Sequence, residues 1–542
     1  MRVFTTRRLG GAAAAVAILA TAVAILHSQR ENGSSRSIVD ATPAIGAGSI
    51  YTPARRAGVA NSHGAHTVDV PPTVPAAARP AGVPVSVAVA ARPSGRAAPD
   101  DFLGLSFEER DLPLIAGYAR AAAAGSEDFV VLLRSLGAGV MRFGGVSADE
   151  QVAWLGAGGA KLPGWASVSI TSIDLEGLAV VARESGWRVL LTVNLGHYDP
   201  AAAAQEAAAA RAALGSSLAG IEIGNEPDRY VGRHLRARGW DFAAYRSQAQ
   251  AYRAAIARAA PGVPIAGPDP STGAPNLGWL RAAARALHPQ LLTDHYYPLS
   301  SCGYRPTIGE LLSASVRGKE SAALAGASAI ARAAATPLRL DEVNSVSCEG
   351  FRGTSDTFAS ALWALDYSAR AIAAGAAGVN FHDLLTKTDA YSPLLAASAA
   401  ALAAGELHAA PEWYALLAAH ELSGSRPLRT RVEGATSEQL SASAFRASDG
   451  RLRILLLDYE PRGSQPLAVR LQVSRRYAGG SVLRLTAPSP AATTGVRLGG
   501  RAVAPDGSWE APAALPAVYS DAGRLSVQID PASAAVVTLP RR

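Results

Sequence analysis

From residue 102 onward the chain alternates between two textures. Short apolar runs lie at 102–107, 139–143, 188–195, 220–225, 264–268, 291–296, 338–343 and 378–382. Between them lie Ala-rich stretches with helical periodicity, among them 174–185, 241–260, 279–286, 321–335 and 357–374. Eight strands alternating with helices predict an α/β fold of the (β/α)8 TIM-barrel type over 101–423. Its last helix is expected at 411–421, with Pro411 in the first turn. Ahead of the barrel, Val85-Ser86-Val87-Ala88-Val89 alternates like a half-buried strand. A lone strand needs a sheet, so 83–100 is assigned as a strand that pairs with a later β-domain. That domain is expected over 424–542, where the runs 440–445, 452–459, 467–473 and 534–539 are punctuated by Gly, Pro, Asp and Ser. This texture reads as an all-β sandwich.

The N-terminus has a different character. Arg2, Arg7 and Arg8 precede an almost unbroken apolar run over 9–26. Residues 1–28 therefore fit either a signal peptide or a membrane anchor. Residues 29–82 are rich in Ser, Gly, Pro and Ala without a periodic apolar face, and read as a disordered tether. The expectation is an exported protein, secreted or tethered at the outer face of the cell membrane.

Composition narrows the function classes. A chain of 542 residues with 49% apolar and 18% charged residues has enough apolar material for two or three folded domains. The net charge of +7 comes from arginines scattered along the chain rather than from a basic run, which argues against a nucleic-acid surface. The two cysteines, Cys302 and Cys348, read as one disulfide in an exported chain. No His or Cys cluster with ligand spacing accompanies them, so no metal is expected.

Two carboxylates carry the chemistry. Glu226 lies in Gly224-Asn225-Glu226-Pro227-Asp228, after the fourth strand, and Glu342 lies in Asp341-Glu342-Val343-Asn344 at the end of the seventh. Barrel active sites form at the C-terminal ends of the strands, so these two can face each other across the mouth. A single glutamate there is by default an exposed loop carboxylate. A facing pair is the minimum equipment for cleaving a glycosidic bond. Glu226 is then the general acid/base and must hold a proton while Glu342, the nucleophile, is ionised. Asn225 can donate to a sugar hydroxyl. His295 and Tyr297 share one face at the end of strand six, where Tyr297 can donate to Glu342 and His295 is either a sugar contact or a structural histidine. Arg142, ending strand two, either fixes Glu342 by a charge-assisted bond or is a structural barrel-mouth arginine. Asn194 and His197 after strand three, and Asn380 and His382 on strand eight, are further candidates.

Gly224-Asn225-Glu226-Pro227 with a Glu at strand seven resembles the large clan of retaining (β/α)8 glycosidases. Asp341 to Cys348, with His295-Tyr296-Tyr297-Pro298, Val379-Asn380-Phe381-His382 and a C-terminal β-domain, resembles glycoside hydrolase family 79. That family contains β-glucuronidases and heparanases, and the resemblance covers roughly residues 85 to 542. It implies a retaining double displacement with carboxyls ~5–5.5 Å apart. It also implies recognition of a uronate by the loop after the nucleophile, here Ser345 to Gly350, and by a tyrosine, here Tyr391. Two departures concern specificity: Glu349 would repel a uronate unless it points away, and Asp383-Leu384 replaces small residues. The cysteines fall in the loops after strands six and seven, where their disulfide would brace the mouth. The expected partner is a glycoside, oligosaccharide or polysaccharide, with or without uronic acid. Two other readings stand: an exo-glycosidase on neutral β-glucosides or β-xylosides, and a catalytically silent surface carbohydrate-binding protein.

Overall fold

A computed structural model describes residues 81–119, 128–272, 276–385 and 391–542. The leader expected at 1–28 and nearly all of the tether expected at 29–82 lie outside them. Among the described residues no helix is long and apolar enough to cross a membrane.

The expected barrel is present. Leu103–Glu108, Val140–Gly144, Arg188–Val193, Leu218–Ile223, Ala266–Pro268, Leu291–Tyr296, Leu338–Val343 and Gly378–Asp383 are barrel strands one to eight. Strands one to four and five to eight each pair in parallel with their sequence neighbours, and strand eight returns to strand one. A parallel bridge between Ile221 and Ile265 closes the ring between strands four and five. The intervening helices form because their sequences are Ala-rich and well capped. Thr171 and Asp174 make a capping box ahead of Ser172–Ser185. Asp199 caps Pro200–Leu214, with Pro200 in its first turn.

The barrel floor is polar. Arg339 Nε donates to Asn380 Oδ1 (2.5 Å), and Asn380 Nδ2 donates to the carbonyls of Leu105 (2.9 Å) and Val140 (2.8 Å). Glycines make the room: a Cβ at Gly378 would stand 2.2 Å from the Arg339 guanidinium, and one at Gly104 would stand 2.6 Å from the Asn380 amide.

Strand seven departs from regular pairing. Arg339 faces Thr293, but Glu342 faces His295, so one extra residue is inserted against strand six. The same shift occurs against strand eight, between the pairs Leu340/Val379 and Val343/Phe381. This is a β-bulge. Regular alternation would send Asp341 and Glu342 to opposite faces. With the bulge, both turn inward and both approach Arg142.

The second sheet has ten strands. Val83–Pro93 lies inside it, antiparallel to Arg426–Glu433 and parallel to Leu467–Gln472. Its central strands explain the continuously apolar runs. In Leu452–Asp458, Ile454 and Leu456 join the sheet's own core, while Leu455 and Leu457 join the barrel's core. Ser533–Leu539 divides in the same way, with Val537 to one side and Val536 to the other. Both faces are buried, so the polar half of the alternation is missing. The helix at this junction, Phe358–Ala374, buries 14 of its 17 residues.

Candidate active site

The barrel mouth opens into a cleft of about 910 Å³ lined by Glu226, Tyr297, Glu342, His382 and Tyr391, among others. Arg142 organises its floor. This arginine is 0% exposed and spreads its guanidinium over three elements. Nη1 donates to Glu342 Oε2 at 2.7 Å, Nη2 to Asn225 Oδ1 at 2.8 Å, and Nε to Glu222 Oε2 at 2.9 Å. The fork suits such simultaneous contacts with oxygen acceptors. Gly144 follows it because a Cβ there would lie 2.4 Å from the guanidinium carbon.

The other oxygen of Glu342 is also held. Tyr297 Oη donates to Oε1 at 3.0 Å, and His382 Nδ1 lies 3.3 Å away. Tyr297 in turn meets His382 Nδ1 at 3.0 Å and Tyr391 Oη at 3.5 Å. These contacts fix the carboxylate from both sides.

Glu226 is built differently. Gly224 and Glu226 both have positive φ (76° and 48°), and the Glu226 N–H donates to the Asp269 carbonyl at 3.0 Å. A non-glycine residue in the left-handed region carries strain, which clusters at functional sites. A Cβ at Gly224 would lie 2.3 Å from Tyr230 Oη. Buried Asp149 anchors the turn, accepting from the backbone of Asn225, Leu195 and Gly196 (each 2.8 Å) and from Tyr230 Oη (2.7 Å). Arg233 forms an ion pair with Glu226 Oε2, and His295 Nδ1 sits 3.2 Å from Oε1.

The charges are coupled. Burial opposes ionisation of Glu342, but His295, His382 and Arg142 outweigh it and hold its carboxyl well below the usual range. Burial likewise opposes the charge on His295, yet Glu342, Asp341 and Glu226 hold its imidazole protonated well above the usual histidine value. Beneath them, burial and the neighbouring Asp341 push Glu222 up to about 8. Asp341 resists its own burial through His295 and Arg142 and falls to about 2. Burial thus favours the protonated form of Glu222 beside an ionised Asp341. Glu226 corrects the expectation of a raised acid. Burial raises it, but the His295 hydrogen bond and the Arg233 charge bring it below the ordinary value.

Most of the expected residues converge. Arg142, Asn225, Glu226, His295, Tyr297, Glu342, His382 and Tyr391 form one connected cluster. Asn225 is buried, and its Nδ2 has no protein partner. Asn380 does not reach the cleft, because the barrel floor uses both ends of its amide. Gly350 is not among the cleft-lining residues, whereas Cys348 and Glu349 are. Asn194 is tied to the Val152 carbonyl (3.0 Å), and it and His197 line a separate cavity. Cys302 and Cys348 are joined in a disulfide with Cα atoms 5.8 Å apart. Sequence reasoning missed Asp149, Glu222, Asp341 and Arg233. Glu222 carried a signal, a charge between Ile221 and Ile223 in an apolar strand. Arg233 carried none.

One carboxylate oxygen from each of Glu226 and Glu342 and a ring nitrogen of His295 lie within 4.8 Å of one another. Such a triad could also hold a cation, although His295 and Arg142 already supply positive charge there.

No protein-family model and no curated protein sequence matches this chain. Solved structures do. It is similar to a 4-O-α-L-rhamnosyl-β-D-glucuronidase from Fusarium oxysporum 12S, with TM-score 0.69 and 19% identity over 84% of this chain and 100% of that one. A GH51 arabinofuranosidase from Xanthomonas axonopodis pv. citri gives TM-score 0.63 and 15% identity, again over 84% and 100%. A family 51 α-L-arabinofuranosidase from Bifidobacterium longum gives 0.62 and 14%, over 84% and 99%. At these identities the likeness is one of fold: the chain is a (β/α)8 barrel with an attached β-domain, built as in these glycoside hydrolases.

Proposed function

We propose that the protein is a retaining β-glycosidase, with β-glucuronidase-like specificity as the first reading. The observation that carries it is the approach of Glu226 and Glu342 to within 4.8 Å, oxygen to oxygen. Retaining enzymes hold their carboxyls ~5–5.5 Å apart, whereas inverting enzymes leave ~6.5–9.5 Å for a water. Glu342, kept ionised by His295, His382 and Arg142 and positioned by Tyr297, attacks the anomeric carbon. Glu226 gives a proton to the departing glycosidic oxygen, the C–O bond breaks, and a glycosyl ester forms on Glu342. Glu226 then takes a proton from water, whose oxygen attacks the same carbon and releases Glu342.

The resting Glu226 is ion-paired, so its proton needs a source. His295 Nδ1, 3.2 Å from Glu226 Oε1, is that source. A sugar in the cleft displaces water from Glu226 and raises the cost of its charge, which favours transfer of the proton to it.

Support for a glucuronide comes from the family 79 resemblance and from the Fusarium structure, whose own name records a β-glucuronidase. Glu349 in the cleft lining favours the second reading, a neutral glucoside or xyloside. The disulfide supports an oxidising, exported setting. Hydrolysis of chromogenic β-glucuronide, glucoside, galactoside and xyloside by the protein and by its Glu342→Gln variant tests all of this. Glucuronide turnover lost in the variant is the expected result. Turnover of a neutral glycoside alone would move the specificity to the second reading. No turnover of any substrate would sink the enzyme reading.

A further inference from the structure

A second cavity, of about 440 Å³, shares no lining residue with the cleft. It lies on the side of barrel strands one to three. Its mouth is aromatic: Trp165, 37% exposed, stacks on His197 with ring centroids 3.7 Å apart and planes 10° from parallel, and Tyr198 stands 50% exposed beside them. Its inner wall is acidic, with Glu109 and Glu206 both lining it and both buried. Glu109 is 1% exposed, and its Oε2 has no hydrogen-bond partner. Trp154 Nε1, on the same wall, also lacks one.

The chemistry of these walls narrows the occupant. No Lys or Arg lines the cavity, and among the described residues no ion pair reaches Glu109 or Glu206. Burial draws His197 toward its neutral form. The third acid, Asp199, is occupied by the Ala201 and Ala202 backbone N–H groups at 3.0 Å. Burial first, and then the charge of Glu206, push Glu109 well above the usual carboxylate range, and burial raises Glu206 as well, so the unliganded pair holds its protons until a cation favours the ionised forms. The groups that could converge on a metal ion among the described residues do not include these acids. Aromatic faces attract an organic cation by cation–π contact, and the buried carboxyls add charge as its approach ionises them. We infer that this cavity binds an organic ammonium group, carried by an amino sugar or by a simple alkylammonium, between the Trp165 and Tyr198 rings and the Glu109–Glu206 wall. This site is independent of the catalytic reading.

Isothermal titration calorimetry on the full chain with glucosamine, choline, N-acetylglucosamine and glucose tests it. Saturable binding of glucosamine, choline or both is expected, with at least about tenfold weaker binding of the two uncharged sugars. Choline binding would show that the ammonium alone suffices; glucosamine without choline would show that the sugar ring is also read. Trp165→Ala, at an exposed position, and Glu206→Gln should each weaken binding about tenfold or more, while Glu342→Gln should leave it unchanged. Absence of cation binding would overturn the inference. So would equal affinity for glucose, which would make this a neutral-sugar site, or binding that survives both cavity variants.

Discussion

At the scale of single residues, the site is a proton-sharing problem. Four carboxyls, two arginines and two histidines form one connected cluster, and burial alone would neutralise the acids. His295, His382 and Arg142 prevent that for Glu342, while the His295 hydrogen bond and the Arg233 charge do the same for Glu226. If His295 stores the catalytic proton, His295→Gln should lower kcat. It should also move the alkaline limb of the kcat/KM profile toward acid by at least about one pH unit, since the proton would then rest on Glu226 alone. An unmoved limb would remove the storage role. Glu226→Gln should slow substrates with poor leaving groups by about 10²–10⁴-fold and activated aryl glycosides far less, as measured by kcat for the two substrate types. The pairing of Glu226 with Glu342 was legible in the sequence because each lies at the C-terminal end of a strand-like run, Glu226 just past one and Glu342 within the last two residues of another. Arg233 and Asp149 were not, because they act from segments whose sequence has no period.

At the scale of elements, the eight strands were readable because a buried parallel strand is a short apolar run, and they appear within one or two residues of their expected ends. Strand parity was harder to read. The bulge that turns both Asp341 and Glu342 inward is a backbone event, and Leu338-Arg339-Leu340-Asp341-Glu342-Val343 does not announce it. Asn380 went astray for a related reason: its inward position was visible, but its depth in the barrel was not. The close fit at Gly144 makes a test. Gly144→Ala drives a methyl into Arg142 and should cost about 1–3 kcal/mol in urea unfolding together with a fall in kcat. The Cys302–Cys348 disulfide spans 46 residues, a loop whose closure is worth up to about 4 kcal/mol. Replacing both cysteines by serine should lower the melting temperature and raise KM, because Cys348 itself lines the cleft. An unchanged KM would limit the bridge to a stabilising role.

At the scale of the whole molecule, buried acids set the pH response. Glu206 and Glu222 rise from an ordinary 4.5 to about 8, chiefly through burial. Burial also raises Asp294 to about 8 and Asp111 to about 7. In the unfolded chain these groups ionise at their ordinary values. Between 4.5 and about 8 the unfolded state therefore binds fewer protons, and stability falls as pH rises. His295, raised in the fold, adds stability at low pH that is lost as pH climbs through its folded value. Depressed Asp341 and Glu342 act only at the acid end, losing their contribution as pH drops through their low folded values. Calorimetric melting should thus be highest near pH 5 and fall toward pH 8; a flat or rising profile would contradict the buried-acid account. The β-domain was legible as a domain, but its second buried face was visible only as missing alternation. Its insertion of Val83–Pro93 also has a consequence in time. Ser94 bonds to Pro427 across 333 residues. A chain emerging at about 5–20 residues per second leaves the first strand without its sheet for roughly 15–70 s. Through that interval a valine-rich edge stands open, and a molecule cut short before residue 426 never closes it. Such a fragment carries on its surface the sign of its own incompleteness.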